Sequence, residues 1–272
     1  MKNYFKIFTR LFIFSSLPII ITNIFGFSGY KAGESNDLKG KEAAYSLSSV
    51  EKKQLSPSLP LNEHDKRSVY LTFDDGPNGY TEEILKILKS KNAHATFFLI
   101  KGNIDKRPTL LKEIVKSGNS VGCHSVSHRV DVFFSSPKVA VREMKMCQRA
   151  IYDKTRIHTP LIRVPFGSFP HLTHDIKKGL EDADFVYWDW NIDSEDWINN
   201  NPEQVYTNII KQLNFAEKKG YVPTVLLHDK KVTVDMLPKL LDYLNEKGYK
   251  IKSITNTVKP VQFNLDSTKS AS

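Results

Sequence analysis

Residues 69–77 read VYLTFDDGP, a buried-strand pattern that ends in polar residues. The first five residues suit a strand that is covered on both faces, as in a parallel sheet. Asp74 and Asp75 follow at once, and Gly76-Pro77 favours a sharp turn after them. Two adjacent carboxylates repel each other unless a cation or a proton offsets their charge. The pair is therefore either a candidate cation site or simply part of a turn.

Further runs of this kind follow along the chain, separated by segments with helical spacing. The runs that suit strands span residues 69–73, 95–100, 120–124, 161–165, 184–190, 223–228 and 249–254. Helix start and stop signals lie between them, such as Ser136-Pro137 and Pro202 at starts and Gly248 at an end. Strands that alternate with helices predict an α/β fold with a parallel sheet. Seven units in roughly 190 residues predict a barrel slightly short of the eightfold one.

Polar residues recur at the predicted carboxyl ends of these strands, where such barrels carry their chemistry. The third run ends at His124, and His128 follows four residues later. Two histidines at this spacing can face one point if the backbone makes a helical turn there. Two imidazoles and one carboxylate are a common catalytic zinc set, with a fourth position left for water. His124 and His128 are thus either metal ligands or structural histidines.

Three more strand ends carry polar side chains. Arg163 lies in the fourth run, where its guanidinium could orient a neighbouring carboxylate. Asp196 and Trp197 follow the fifth run, and a tryptophan in an acidic loop either walls a sugar site or covers the core. His228 ends the sixth run, and histidine is the usual proton donor near neutral pH. Polar sets at five of the seven predicted strand ends predict one catalytic site.

Together these segments resemble the motifs of the polysaccharide deacetylases of carbohydrate esterase family 4. The matching segments, in order, are TFDDGP (72–77), HSVSH (124–128), RVPFG (163–167), DSEDW (193–197) and LLHD (226–229). The resemblance covers about residues 68–255. It implies a TIM-barrel-like fold, a distorted (β/α) barrel of about seven strands with an open groove. It also implies hydrolysis of acetyl groups from amino-sugar or xylan polymers with one divalent metal ion, usually zinc, for which cobalt or nickel can substitute.

The resemblance further assigns roles to individual residues. Asp75, His124 and His128 match the metal ligands of the family. Asp74 matches its general base, and Arg163 matches the residue that holds and orients that base. A hydrolase of this kind needs a base to activate water beside the metal ion.

The remaining matches lie around the leaving group and the substrate. Asp196 would orient His228, which matches the general acid. The backbone N–H of Phe166 would stabilise the oxyanion, although many members of the family carry tyrosine at this position. Trp197 would wall the substrate groove, and Leu226 would line the acetyl pocket.

The N-terminal segment indicates export. Basic residues in the first ten positions precede residues 11–30, which contain no charged side chain. This run fits either a cleaved signal peptide or a retained membrane anchor, and a buried helix is disfavoured because nothing nearby could cover it. The predicted organisation is a signal or anchor at 1–30, a polar linker at 31–67, the deacetylase domain at 68–255 and a polar tail at 256–272.

Composition restricts the class of function further. The net charge of +9 would suit nucleic acid, an anionic membrane or an anionic wall polymer. The charge is diffuse and the aromatic residues lie largely in the strand runs, so nucleic-acid binding is not expected. A carbohydrate-binding protein without activity would lack a ligand or the acid, and neither is missing. Cys123 and Cys147 are expected to be buried free thiols, with a disulfide as the alternative.

The sequence therefore predicts an exported, monomeric deacetylase of a cell-wall polysaccharide. Peptidoglycan N-acetylglucosamine is the first choice of substrate because export, positive charge and a stalk suit an anionic wall. Chitin-like oligomers are the second choice and xylan is the third.

Overall fold

The computed structural model describes residues 67–266, in which eight strands alternate with eight helices. The strands are β1 Ser68–Asp74, β2 Thr96–Leu99, β3 Ser120–Cys123, β4 Leu161–Ile162, β5 Val186–Tyr187, β6 Ile192–Asp193, β7 Thr224–His228 and β8 Lys250–Lys252. The helices are α1 Thr81–Ser90, α2 Lys101–Lys106, α3 Pro108–Lys116, α4 Val130–Phe133, α5 Pro137–Thr155, α6 His174–Glu181, α7 Pro202–Lys219 and α8 Lys231–Glu246. The predicted export segment and most of the linker lie outside the described residues.

Every strand pair in the sheet is parallel, which confirms the predicted fold class. The strand order is β5-β4-β3-β2-β1-β7-β6, and β8 pairs with the first half of β1. Parallel order brings the carboxyl ends of neighbouring strands to one edge of the sheet. Asp74 of β1 lies opposite His228 of β7, and Thr72 lies opposite Leu226. Two of the predicted motifs are thereby neighbours in space.

The fifth predicted strand differs from the observed one. Residues 184–190 were expected to form one strand, but only Val186–Tyr187 pairs with β4. The chain then crosses to the opposite edge of the sheet, where β6 pairs with β7. The ladder stops because the N–H of Asp189 donates to the carbonyl of Val261 instead of to a strand. This crossing segment lies between the two edge strands of an incompletely closed barrel.

The compact structure continues beyond the predicted boundary at residue 255. Phe263 is 3% exposed, and its ring meets that of Trp190 edge-on at a centroid distance of 5.1 Å. The side-chain amide of Gln262 also donates to the carbonyl of Tyr187 at 3.1 Å. Residues 256–266 are therefore part of the domain, because their apolar side chains cover the crossing segment. The predicted start of a polar tail at 256 is corrected accordingly.

The starts of α5 and α7 follow the sequence signals. Ser136 caps α5 by accepting a hydrogen bond from the N–H of Val139 at 3.3 Å, and Asn201 caps α7 in the same way. Thr81 is the first residue of α1. Its hydroxyl accepts from the N–H of Asn78 and donates to the carboxylate of Asp229. Thr81 therefore joins the loop that follows β1 to the loop that follows β7.

A large apolar core lies between the sheet and the helices and holds the strand ends in place. Phe73 and Phe97 stack within it at 5.1 Å, and most β1 side chains are fully buried. Cys123 and Cys147 are buried free thiols, as predicted. Among the described residues, no helix is both long and apolar enough to cross a membrane.

Candidate active site

The three predicted ligands form a compact triangle at the carboxyl edge of the sheet. The Nε2 atoms of His124 and His128 lie 3.2 Å apart. Oδ1 of Asp75 lies 3.6 Å from Nε2 of His124 and 3.3 Å from Nε2 of His128. Ligands bound to zinc at 2.0–2.1 Å in a tetrahedron lie about 3.3–3.4 Å from one another. The triangle therefore has the dimensions of three ligands of one tetrahedral metal ion.

The state of the ligand atoms also suits a cation. Oδ1 of Asp75 is buried and accepts no hydrogen bond from the described residues. Nδ1 of His124 lies 2.7 Å from the carbonyl oxygen of Arg163, to which it can donate, leaving Nε2 as an acceptor. Burial, reinforced by nearby His128, lowers the pKa of His124 to about 3. This histidine is thus neutral near pH 7, as metal binding requires.

A buried glutamate, absent from the sequence predictions, holds the loop that carries both histidines. Glu143 of α5 accepts hydrogen bonds at 3.0 Å from the N–H groups of Val126 and Ser127 and from the Ser127 hydroxyl. The N–H of His128 also donates to Oγ of Ser125 at 3.1 Å. The available signal for Glu143 was an acidic residue on the apolar face of α5, since charged residues are rarely buried without partners.

The backbone of the two loops that carry the ligands, one after β1 and one after β3, adopts unusual angles. Ser125, His128 and Asp75 have φ values of 74°, 48° and 71°. Non-glycine residues seldom occupy this left-handed region, and such residues cluster at functional sites. The single helical turn expected between His124 and His128 is therefore replaced by a bent loop with two left-handed residues, and the two side chains still converge.

Beside the triangle, Asp74 is paired with a fully buried arginine. Nη1 of Arg163 donates to Oδ1 of Asp74 at 2.9 Å and to the hydroxyl of Thr72 at 2.7 Å. The other donors of Arg163 reach the carbonyl oxygens of Trp188 and Asp189 at 3.1 and 3.0 Å. Burial raises the pKa of Asp74, and the opposing effect of Arg163 does not cancel this increase. Arg163 thus fixes the orientation of Asp74, and the pKa of Asp74 stays above its usual value.

His228 ends β7, the strand next to β1, and Asp196 positions its side chain. Oδ1 of Asp196 lies 2.6 Å from Nδ1 of His228, and Oδ2 accepts from the backbone N–H of His228 at 2.7 Å. Thr233 donates to the same carboxylate, a contact that the sequence analysis did not predict. Burial alone would lower the pKa of His228, but the charge and hydrogen bond of Asp196 raise it to about 9. His228 is therefore protonated near neutral pH, with Nε2 left for another partner.

The other predicted residues border these groups. Phe166 is 39% exposed with φ 61°, and its ring centroid lies 4.8 Å from that of His128. Trp197 is partly buried and donates from Nε1 to Asp193 at 3.3 Å. Leu226 is buried in a small apolar cluster with Trp190. The structure thus brings the predicted residues from all five motifs to one end of the sheet.

Asp229, directly after His228, is a further buried carboxyl near the site that received no predicted role. Burial raises the pKa of Asp229 to about 7, although the hydrogen bond from Thr81 acts to lower this pKa. Its Oδ2 lies only 2.6 Å from the position that a Cβ on Gly76 would occupy. Asp229 therefore packs directly behind the turn that follows Asp75, where only glycine fits.

Several known proteins with similar sequences are named as deacetylases of polysaccharides. The family profile described as polysaccharide deacetylase matches residues 61–186. The putative polysaccharide deacetylase YheN of Bacillus subtilis is 39% identical over 197 residues, which cover 72% of this chain and 70% of YheN. A peptidoglycan-N-acetylglucosamine deacetylase of Bacillus cereus is 35% identical over 206 residues, which cover 75% of each chain.

A solved structure agrees with these sequence matches. The crystal structure of the polysaccharide deacetylase Bc1974 from Bacillus cereus superposes with a TM-score of 0.67 at 34% identity. The superposition covers 74% of this chain and 98% of the solved one. The five motifs, the parallel half-barrel and these relatives agree, and the chain belongs to the polysaccharide deacetylases of carbohydrate esterase family 4.

Proposed function

We propose that this chain is an exported deacetylase that removes acetyl groups from N-acetylglucosamine of peptidoglycan, with one zinc ion bound by Asp75, His124 and His128. The observation that carries the proposal is the triangle of ligand atoms flanked by a buried Asp–Arg pair and a buried Asp–His pair. The Bacillus cereus relative that is named for this activity supports the choice of substrate.

Amide hydrolysis needs help at the carbonyl group, at the attacking water and at the leaving nitrogen. A metal ion in the triangle would polarise the carbonyl group and lower the pKa of water. Asp74, which Arg163 holds in orientation, accepts the proton of the attacking water. The N–H of Phe166 donates to the oxyanion of the tetrahedral intermediate. His228 gives its proton to the leaving nitrogen, which cannot depart easily as an anion.

The electrostatics of the two catalytic groups suit these opposite tasks. The raised pKa of Asp74 makes its carboxylate a stronger base than an exposed aspartate. The raised pKa of His228, about 9, keeps its proton in place until the leaving nitrogen needs it. Asp196 stabilises the protonated form of His228, so removing the Asp196 carboxylate would lower the protonated fraction of His228 at neutral pH.

Location and assembly belong to the same proposal. The basic start and the uncharged run at 11–30 support export, as a cleaved signal peptide or as an anchor on the outer face of the membrane. The net charge of +9 would favour an anionic wall. A single chain supplies all of the groups that the mechanism uses, so we expect a monomer.

Acetate release from a panel of polymers tests the proposal. Purified full-length protein loaded with zinc is incubated with peptidoglycan, chitin oligosaccharides and acetylated xylan. We expect the highest kcat/KM on peptidoglycan; a clear preference for either other polymer would reassign the substrate. Polymer binding without acetate release from any substrate would instead favour a carbohydrate-binding protein on the same fold. The complete set of catalytic side chains argues against that second candidate.

A further inference from the structure

The outer face of α5 carries a stripe of positive charge. Its exposed basic residues recur every three or four positions, which places them on one side of the helix; they are Lys138, Arg142, Lys145 and Arg149. At 1.5 Å per residue the stripe is about 16 Å long. The single acidic residue between them, Glu143, is buried on the opposite side, where it holds the loop of the two histidines. The exposed stripe therefore contains no acid.

Three of these four cations have no acidic partner. Arg149 pairs with Asp153 at 2.8 Å. Lys138, Arg142 and Lys145 form no ion pair with the described residues 67–266. Helices α1, α6 and α8 instead pair exposed lysines with carboxylates one turn away. The positive charge along the middle of α5 is therefore not offset by the described part of the protein.

The stripe borders an open groove of about 760 Å³. The apolar part of its lining includes Pro137, Val141 and Met146, and Met146 is 43% exposed. Gly179 of α6 lies against the start of α5 and also lines the groove, since a Cβ on Gly179 would lie 3.1 Å from Cβ of Pro137. Lys101 of α2 adds a fifth basic side chain to the lining. The stripe is thus part of a concave channel with both apolar and basic walls.

The groove lies close to the loop that carries the two predicted histidine ligands. Lys101 begins α2, and its N–H donates to the carbonyl of Ser125, the residue after His124, at 3.1 Å. Glu143 holds the same loop from the inner side of α5. A molecule in the groove would therefore be separated from the loop of the metal ligands by a single helix.

We propose that this groove binds a linear polyanion of the cell wall, a polymer with phosphate groups along a flexible carbon chain, and so holds the enzyme at the wall. The inference rests on the proposed location but not on the proposed reaction. The phosphates meet the unpaired cations, and the carbon chain covers the apolar lining. A membrane surface fits less well, because the groove is concave and Asp105 and Asp153 flank its basic residues.

The test reverses two unpaired charges in the full-length protein, Arg142→Glu/Lys145→Glu. Binding is measured to isolated cell walls that retain their phosphodiester-linked polymers, and to the same walls after hydrofluoric acid has removed these polymers. The Kd of the variant should rise by about tenfold or more on the intact walls and equal that of wild type on the stripped walls. The matched control, Lys211→Glu/Lys218→Glu, makes the same change of net charge at exposed residues of α7. It should bind intact walls within about threefold of wild type.

Acetate release separates this inference from the proposed function. Both double variants should release acetate from soluble chito-oligosaccharides as wild type does, and the groove variant alone should show a higher KM on intact walls. Equal loss of wall binding in both variants, or loss in neither, would overturn the inference. Weaker binding of the groove variant than of the control to equimolar vesicles of phosphatidylglycerol and phosphatidylcholine, with unchanged wall binding, would reassign the groove to a membrane. Selective loss of wall binding in a protein that deacetylates no substrate would overturn the proposed function and leave the inference standing.

Discussion

Asp74 and Asp75 are chemically identical neighbours that the fold places in different surroundings. Asp74 is 2% exposed and receives a hydrogen bond from Arg163. Oδ1 of Asp75 instead lies between two histidine nitrogens and accepts no hydrogen bond from the described residues. A carboxylate already fixed by a cation suits a base, and an unpaired oxygen beside two imidazoles suits a metal ligand.

The two aspartates should therefore respond differently to the same substitution. Asp75→Asn should lose bound zinc, because an amide oxygen is a poorer zinc ligand than a carboxylate. Asp74→Asn should keep the metal and lose turnover by roughly a hundredfold to ten-thousandfold, as is typical of a lost general base. Metal content and acetate release measured side by side distinguish the two roles. Loss of zinc in Asp74→Asn with retention in Asp75→Asn would show that the roles are reversed.

The pH dependence of activity reports on His228. The acid must carry its proton, so kcat/KM should fall as pH rises through the raised pKa of His228, about 9. Asp196→Asn removes the charge that raises this pKa, so the alkaline fall should move toward the ordinary histidine value of about 6.5. A pH profile of both proteins checks the direction. An alkaline fall at the same pH in both would mean that His228 is not the acid.

At the scale of elements, helix α5 supports the metal loop from behind. Glu143 satisfies two backbone N–H groups of the loop with one carboxylate oxygen. Glu143→Ala leaves these donors without their partner, so the loop should loosen and zinc affinity should fall by about tenfold to a hundredfold. Competition with a chelating dye measures the change. Glu83→Ala, on the exposed face of α1, is the control and should bind zinc as wild type does.

The strand ends were predictable because continuous apolar runs mark buried strands. The runs that end beside His124 and His228 appear as β3 and β7 within about one residue of the predicted bounds. The run at 184–190 looks the same locally, with Trp188 and Trp190 inside it, yet only two of its residues form a strand. The N–H of Asp189, later in the same run, donates to the carbonyl of Val261, far along the chain. Local periodicity carries no information about such a contact.

The site divides in the same way. The reactive residues were predictable because each stands in a motif at a strand end. Arg163 and Asp196, which hold Asp74 and His228, stand in such motifs too. The supporting residues outside the motifs were not predictable, because their contacts depend on how distant elements pack. Glu143 reaches the histidine loop from α5, and Thr233 reaches Asp196 from α8. Asp189 connects the C-terminal segment to the loop after Arg163.

At the scale of the whole molecule, the two ends of the chain should differ in their importance for catalysis. A protein that starts near Asp65 retains every motif and every described strand, since β1 begins at Ser68. It should fold and release acetate from soluble chito-oligosaccharides at a rate close to that of the full chain. Inactivity in a folded protein of this kind would mean that residues before 65 contribute to the site.

A chain that ends at residue 255 should behave in the opposite way. It loses Phe263, whose removal from a core position alone costs about 3 kcal/mol or more of the free energy of unfolding. It also leaves the buried carboxyl of Asp189 without the N–H of Phe263, and the N–H of Asp189 without the carbonyl of Val261. Denaturant unfolding should therefore show a much lower midpoint, with acetate release reduced because the Phe166 loop loses its support. Wild-type stability and activity after this truncation would place residues 256–266 outside the functional domain, as the sequence alone had suggested.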